Sequence, residues 1–196
     1  HPWEILYVWH GGLASHGGAI GILIAMYFYN KNVTKKGYLW AFDRLAIGVA
    51  ITGACIRLGN LMNSEIYGNP TNLPWGFIFV RAGETQPMHP TQIYEMLYCL
   101  ITFGVIWWLY WKKEAYKRTG FIFGVFLIGI FGTRFLLEFI KLDQEAFESG
   151  MLLNMGQILS IPFIVWGIWL VARKQKISST SNVNANKNKP AANKKK

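Results

Sequence analysis

The sequence predicts an all-α, polytopic transmembrane bundle of about five spans with Gly-rich helix-opening segments and an extracytoplasmic polar loop. Three observations carry this. Of 196 residues 52% are hydrophobic and only 15% charged, against ~25% charged in a soluble globular chain. Apolar runs close to the ~20 residues needed to cross a ~30 Å hydrocarbon core recur along the chain. Cys55 and Cys99 both sit inside such runs, which gives neither a disulfide framework nor a metal-ligand spacing.

The candidate spans are residues 17–29, 44–62, 93–111, 121–140 and 151–172. The first is short unless the preceding Gly-rich stretch also enters the membrane. Arg134 and Glu138 interrupt the fourth. The connection over 63–92 is long and rich in Asn, Pro and Gly, and loops of that length tend to carry function. Residues 1–172 read as a transmembrane domain and 173–196 as a basic tail of disordered composition.

Charge sets the expected orientation. The net charge is +10, but the tail holds eight of the 20 Lys and Arg and no acid, leaving +2 for the rest. Basicity confined to a low-complexity terminus argues against nucleic acid, which is met by a patch interleaved with aromatics. Lys31, Lys35, Lys36 and Arg44 flank the first turn-around, and Lys112, Lys113, Lys117 and Arg118 flank the third. Basic residues stay cytoplasmic, so residues 1–16, 57–92 and 141–150 are expected outside the cytoplasm and the tail within it. Lys141 reads as a loop charge beside Asp143, Glu145 and Glu148.

Charged side chains at membrane depth are costly and tend to mark functional sites. Arg57 lies well inside its span, with Gly53, Gly59, Asn60, Asn63 and Glu65 around it. Asn60, three residues on, shares its helix face. An arginine that only snorkels to the interface needs no such retinue. Arg134 and Glu138, four residues apart, also share a face; the plainer reading is an internal ion pair, and the sharper one has Arg134 and Arg57 clamp one anion, since guanidinium forks suit phosphate. His10 and His16 lie in a Gly-rich stretch, and His16 titrates near neutrality. His89 and Glu95 open the third span, where Pro90 fits a first helical turn; structural and functional readings of both stay open. No histidine pair has metal-ligand spacing, so no metal is expected.

These residues fall into a pattern. Gly53-x3-Arg57-x-Gly59-Asn60-x2-Asn63-x-Glu65-x2-Gly68 resembles the signature of the prolipoprotein diacylglyceryl transferase family. Four further stretches resemble the family in its order: the Gly-rich segment Gly11–Gly18 around His16, the run His89-Pro90-Thr91-Gln92-Ile93-Tyr94-Glu95, and the late segments Gly132–Phe139 and Met155–Pro162. The likeness runs from residue 9 to about 172. Family members commonly have seven spans, so two N-terminal ones are expected to be missing from a chain that opens His1-Pro2 without a signal-peptide pattern. Some members carry a Tyr where this chain has Ile130.

The resemblance implies transfer of the sn-1,2-diacylglyceryl group from phosphatidylglycerol to the lipobox cysteine of a preprolipoprotein at the bacterial inner membrane, the first step of lipoprotein maturation. Its partners would be phosphatidylglycerol, lipobox signal peptides and membrane lipids, with no cofactor and no nucleic acid. The implied catalytic residues are His16 as base, Arg57 and Arg134 against the phosphate, and Glu65 as orienting or accepting group. Arg57, Asn60, Asn63, Gly68 and Arg134 would bind the lipid. Cys55 is a poor covalent nucleophile, because an apolar setting raises a thiol pKa. An anion transporter is the alternative, since it too uses intramembrane arginines and glycine-broken helices.

Overall fold

A computed structural model describes residues 15–141 and 153–173. They form five helices: α1 (Ser15–Tyr29), α2 (Tyr38–Asn63), α3 (Thr91–Lys112), α4 (Phe121–Leu137) and α5 (Met155–Ala172). Among the described residues β-structure is limited to three isolated antiparallel bridges. The tail beyond Arg173 lies outside the described residues. The chain divides between Phe42 and Asp43 into two compact units.

In the first unit, α1 is followed by a π-helical turn over Asn30–Thr34. The Asn30 side-chain oxygen accepts the Gly37 N–H at 2.8 Å and closes that turn. At 15 residues and 1.5 Å per residue, α1 extends roughly 22 Å, short of the hydrocarbon thickness. Of the five expected spans, four are helices long and apolar enough to cross among the described residues: Tyr38–Asn63, Thr91–Lys112, Phe121–Ile140 and Met155–Ala172.

The span starts shift for a physical reason. The sequence places the second span at 44 because Asp43 and Arg44 look like a boundary, yet α2 begins at Tyr38. Asp43 is fully buried and accepts Gly120 N–H at 2.6 Å and Phe123 N–H at 2.9 Å. A helix's first N–H groups lack intrahelical acceptors, and this carboxylate supplies them for α4 while its charge meets the positive helix end. Arg173, after α5, donates to Thr119 O at 2.7 Å, so both chain ends of this cluster close on the loop before α4.

In the second unit polar side chains share the interior with apolar ones, and many large apolar side chains face outward. Buried side chains include Thr91, Gln92, Glu95, Thr102, Glu138, Lys141, Gln157 and Ser160, whereas Ile101, Trp107, Trp111, Val165 and Trp169 are exposed. Lipid rewards that arrangement, because apolar groups gain nothing by leaving hydrocarbon while polar groups must find partners inside. α4 and α5 pack closely through glycine: a Cβ on Gly124 would stand 3.0 Å from Gly167 O, and one on Gly167 2.9 Å from Gly124 O. Phe131 and Phe163 stack beside that crossing at 4.4 Å. Asn154 caps α5 in a reciprocal capping box with Gln157, a pattern that satisfies two orphan donors at once.

The long connection between α2 and α3 is ordered. Gly68 N–H donates to His89 O at 2.8 Å, His89 N–H to Asn69 O at 2.9 Å, and Asn69 N–H to Ile140 O at 3.0 Å. Three chain segments therefore meet at Gly68. A Cβ there would fall 2.5 Å from Ile140 O and 2.7 Å from Thr91 Cγ2, so only glycine fits.

Two outcomes follow. Asp43→Ala strands two amide donors in a buried place and should cost ~1–3 kcal/mol, read as a lower unfolding midpoint in detergent; an unchanged midpoint contradicts the capping role. Gly68→Ala should loosen the junction, with faster hydrogen exchange at the amides of Asn69 and His89 and earlier proteolysis between residues 64 and 90. Unchanged exchange at both amides would show that the junction tolerates a methyl group.

Candidate functional site

The end of α2 explains how its polar residues gather. Glu65 N–H donates to Asn60 O and Ser64 N–H to Leu61 O, at 2.9 and 3.1 Å, with Ser64 at φ 59. That is a Schellman stop, with Ser64 in the left-handed position usually held by glycine. The motif folds residue 65 back over residue 60, and here the contact is polar: Asn60 Nδ2 donates to Glu65 Oε2 at 3.2 Å. Ile66, the next residue but one, also has positive φ, 58, a rare state for a β-branched residue. Two side chains from the start of α3 hold it there. Thr91 Oγ1 donates to Ile66 O at 2.9 Å and Gln92 Nε2 to Glu65 O at 2.6 Å. Backbone strain of ~1–3 kcal/mol per residue persists only where the surroundings over-determine it.

Arg57 is the centre of the arrangement. Its Nη1 donates to Asn60 Oδ1 at 3.3 Å, as the three-residue spacing predicts. Its Nε lies 2.6 Å from Glu95 Oε2, with the Arg57 side chain 21% and that of Glu95 1% exposed. The second oxygen, Glu95 Oε1, lies 2.6 Å from Lys141 Nζ, whose side chain is 3% exposed. A relay Lys141–Glu95–Arg57–Asn60–Glu65 thus joins three segments far apart in sequence.

Arg134 and Glu138 do not form the internal ion pair that their spacing allows. Among the described residues, no salt bridge engages Arg134. The Glu138 carboxylate instead presses on the start of α5, where a Gly156 Cβ would stand 2.5 Å from its Oε1; a helix N-terminus favours an anion there. Arg134 is left available, and both it and Arg57 lie within electrostatic reach of the Tyr98 phenol on α3.

The remaining expected residues are placed as follows. Asn63 ends α2 and is exposed. Gly68 is buried, and the close packing described above accounts for it. The backbone of His16 is in the first turn of α1, while its side chain, like the whole of His10, lies outside the described part. Cys55 is exposed and Cys99 buried. His89 Nδ1 lies 3.3 Å from Tyr94 Oη, which also accepts Trp75 Nε1–H at 2.8 Å. Tyr67 donates to Glu84 at 2.7 Å, and that bond raises the Tyr67 pKa above the usual phenol value.

The sequence leaves the role of Glu95 open, and Lys141 reads in it as a loop charge. The available signal was that Glu95 is an acid within an apolar helix start, which requires a cation. Nothing local indicated which cation, because both partners are remote in the chain.

The family model described as "Prolipoprotein diacylglyceryl transferase" matches residues 1–173. A protein of Porphyromonas gingivalis named phosphatidylglycerol–prolipoprotein diacylglyceryl transferase is 52% identical, over 90% of this chain and 67% of its own length. Proteins of the same name from Tolumonas auensis and Chloroherpeton thalassium are 47% and 44% identical, over 87% and 90% of this chain and 66% and 65% of their own. The chain spans about two thirds of the length of these relatives. A family model that matches residues 1–173, together with relatives of this identity, means that the chain belongs to the prolipoprotein diacylglyceryl transferase family.

Proposed function

We propose that this chain carries the lipid-donor site of an enzyme that moves the sn-1,2-diacylglyceryl group of phosphatidylglycerol onto the lipobox cysteine of a preprolipoprotein. The observation that carries the reading is Arg57, held by Glu95 and Asn60 and still part-exposed. In the reaction the cysteine sulfur attacks the glyceryl carbon, a carbon–sulfur bond forms, and the carbon–oxygen bond to phosphate breaks. The electron pair leaves on glycerol phosphate. Donors fixed in advance toward that growing charge are commonly the largest catalytic contribution. Arg57 fills this role, with Arg134 as the second cation and Asn60 and Glu65 fixing the guanidinium plane.

The thiol must lose its proton. Its ordinary pKa of ~8.5 leaves it mostly protonated at neutrality, and His16 is the base proposed to accept that proton. The relatives' printed names speak for transfer from phosphatidylglycerol to a prolipoprotein, and nothing among them supports the transporter alternative.

The proposed orientation has the Arg57 end outward and the Asp43 end cytoplasmic. Basic residues support it: Arg44 stands over the Tyr110 ring at 5.9 Å, Lys113 over Trp108 at 5.2 Å and Arg173 over Trp169 at 5.2 Å, all at the Asp43 end. That end also holds Lys117, paired with Glu114, and Arg118. Positive residues favour the cytoplasmic side, and a bacterial cytoplasmic membrane then presents phosphatidylglycerol of its outer leaflet to the site.

The test is to incubate the full-length protein with phosphatidylglycerol and a lipobox peptide, or its Cys→Ser version, and to weigh the products. A gain of one diacylglyceryl mass only on the cysteine peptide is expected; no gain refutes the reading. Arg57→Ala should lower the rate ~10²–10³-fold. His16→Ala should lower it ~10²–10⁴-fold at neutral pH and recover toward alkaline pH, where the peptide thiol ionises unaided. A pH-independent defect would remove His16 from the base role.

A further inference from the structure

Lys141 is the residue whose position its sequence context explains least. It follows the last turn of α4 and is succeeded by Asp143, Glu145 and Glu148, any of which would offer it a solvated partner. Its side chain is instead buried, 3% exposed, with Nζ 2.6 Å from Glu95 Oε1. The backbone fixes it there: Gly68 and Lys141 form an antiparallel bridge, and Asn69 N–H holds Ile140 O at 3.0 Å. A lysine kept from water by a built junction, against a carboxylate that already has Arg57 at 2.6 Å, has a purpose other than solubility.

Charge bookkeeping supplies one. Glu95 alone would orient Arg57 but cancel it, since a carboxylate in contact with a guanidinium leaves the pair neutral. An approaching phosphate would then meet no net attraction from that pair, and in a low-dielectric setting that difference is large. A second cation on the other carboxylate oxygen leaves the cluster of Lys141, Glu95 and Arg57 at one net positive charge. Glu95 can then hold the guanidinium by Nε without removing its affinity for an anion.

We propose that Lys141 is a positioning residue that offsets Glu95, so that Arg57 is both fixed and electrically available to the anionic headgroup of the donor lipid. The proposal rests on the donor-site reading above. Lys141 itself does not touch the lipid: both its charge and its contact are spent on Glu95. The position needs a buried cation that reaches Glu95, which arginine also satisfies, and an uncharged side chain of similar length does not.

The experiment uses full-length protein carrying Lys141→Met, Lys141→Arg, or Lys141→Met together with Glu95→Gln. Bound lipid is measured by native mass spectrometry from micelles holding phosphatidylglycerol and the zwitterionic phosphatidylethanolamine, and transfer to a lipobox peptide is measured in parallel. Lys141→Met should lose the preference for phosphatidylglycerol and raise KM for it about tenfold or more, with a smaller change in kcat. Lys141→Arg should keep both. The double variant, which removes the carboxylate as well, should regain most of the preference, because Arg57 recovers its uncancelled charge. Lys141→Gln replaces the methionine variant should that fail to fold. A Lys141→Met variant, or Lys141→Gln in its place, that keeps its lipid preference overturns the proposal. So does a double variant no better than the single, the result that a merely structural bridge gives. Wild-type protein that binds phosphatidylglycerol selectively yet lipidates no peptide refutes the transfer reading alone, and the lipid-binding comparison still decides the role of Lys141.

Discussion

The Glu95 carboxylate, buried and gripped from both sides by Arg57 and Lys141, is the interaction on which the site end of the molecule depends. An isolated ionised carboxylate inside a protein is prohibitively costly, and removing one partner of a buried pair costs ~3–5 kcal/mol. The three groups therefore stand or fall as a unit. Each belongs to a different segment: Arg57 to α2, Glu95 to α3, Lys141 to the turn that follows α4. The relay joins three helices that apolar packing in lipid would hold together only weakly, because lipid tails compete equally well for apolar side chains.

α2 shows this most clearly. Its outward surface is apolar and exposed, with Val49, Ile56, Leu58 and Met62 among its exposed side chains, and its inward contacts are few and specific. Asp43 binds the start of α4, Gly53 admits the Cys99 sulfur, which a Cβ would meet at 3.3 Å, and Arg57 binds Glu95. Fourteen residues separate the two ionic points, roughly 21 Å of helix. Charge at both ends and a small residue between fix the helix in rotation and in height, and rotation decides whether Arg57 faces the bundle or the lipid.

The parts legible in the sequence were those with short-range signatures. Arg57 and Asn60 share a face because they are three residues apart, and their hydrogen bond has that geometry. The long apolar runs became α2 to α5. Boundaries were less legible wherever a distant partner neutralised a charge: Asp43 looked like an end and lies inside a helix. Arg134 and Glu138 have the right spacing for a pair, yet the Glu138 carboxylate lies against Gly156 in the first turn of α5, where the positive helix end favours an anion. Lys141 was hidden for the same reason. Its partner is an acid 46 positions away in the chain, and no local pattern encodes that pairing.

The strained turn after α2 fits the same logic. Ser64 and Ile66 both hold positive φ, and a glycine at either place would relax the backbone. The strain is tolerated because Thr91 and Gln92 grip the carbonyls of Ile66 and Glu65, and both belong to the first turn of α3, one turn before Glu95. The segment that delivers Glu65 to Asn60 and the segment that delivers Glu95 to Arg57 are thus one rigid piece. A guanidinium held on its Nε by one and on its Nη1, through Asn60, by the other is already oriented before the donor lipid proposed above arrives. Preorganisation of that kind is paid at folding and not at binding, which is why the cost appears in this structure as strained backbone and buried charge.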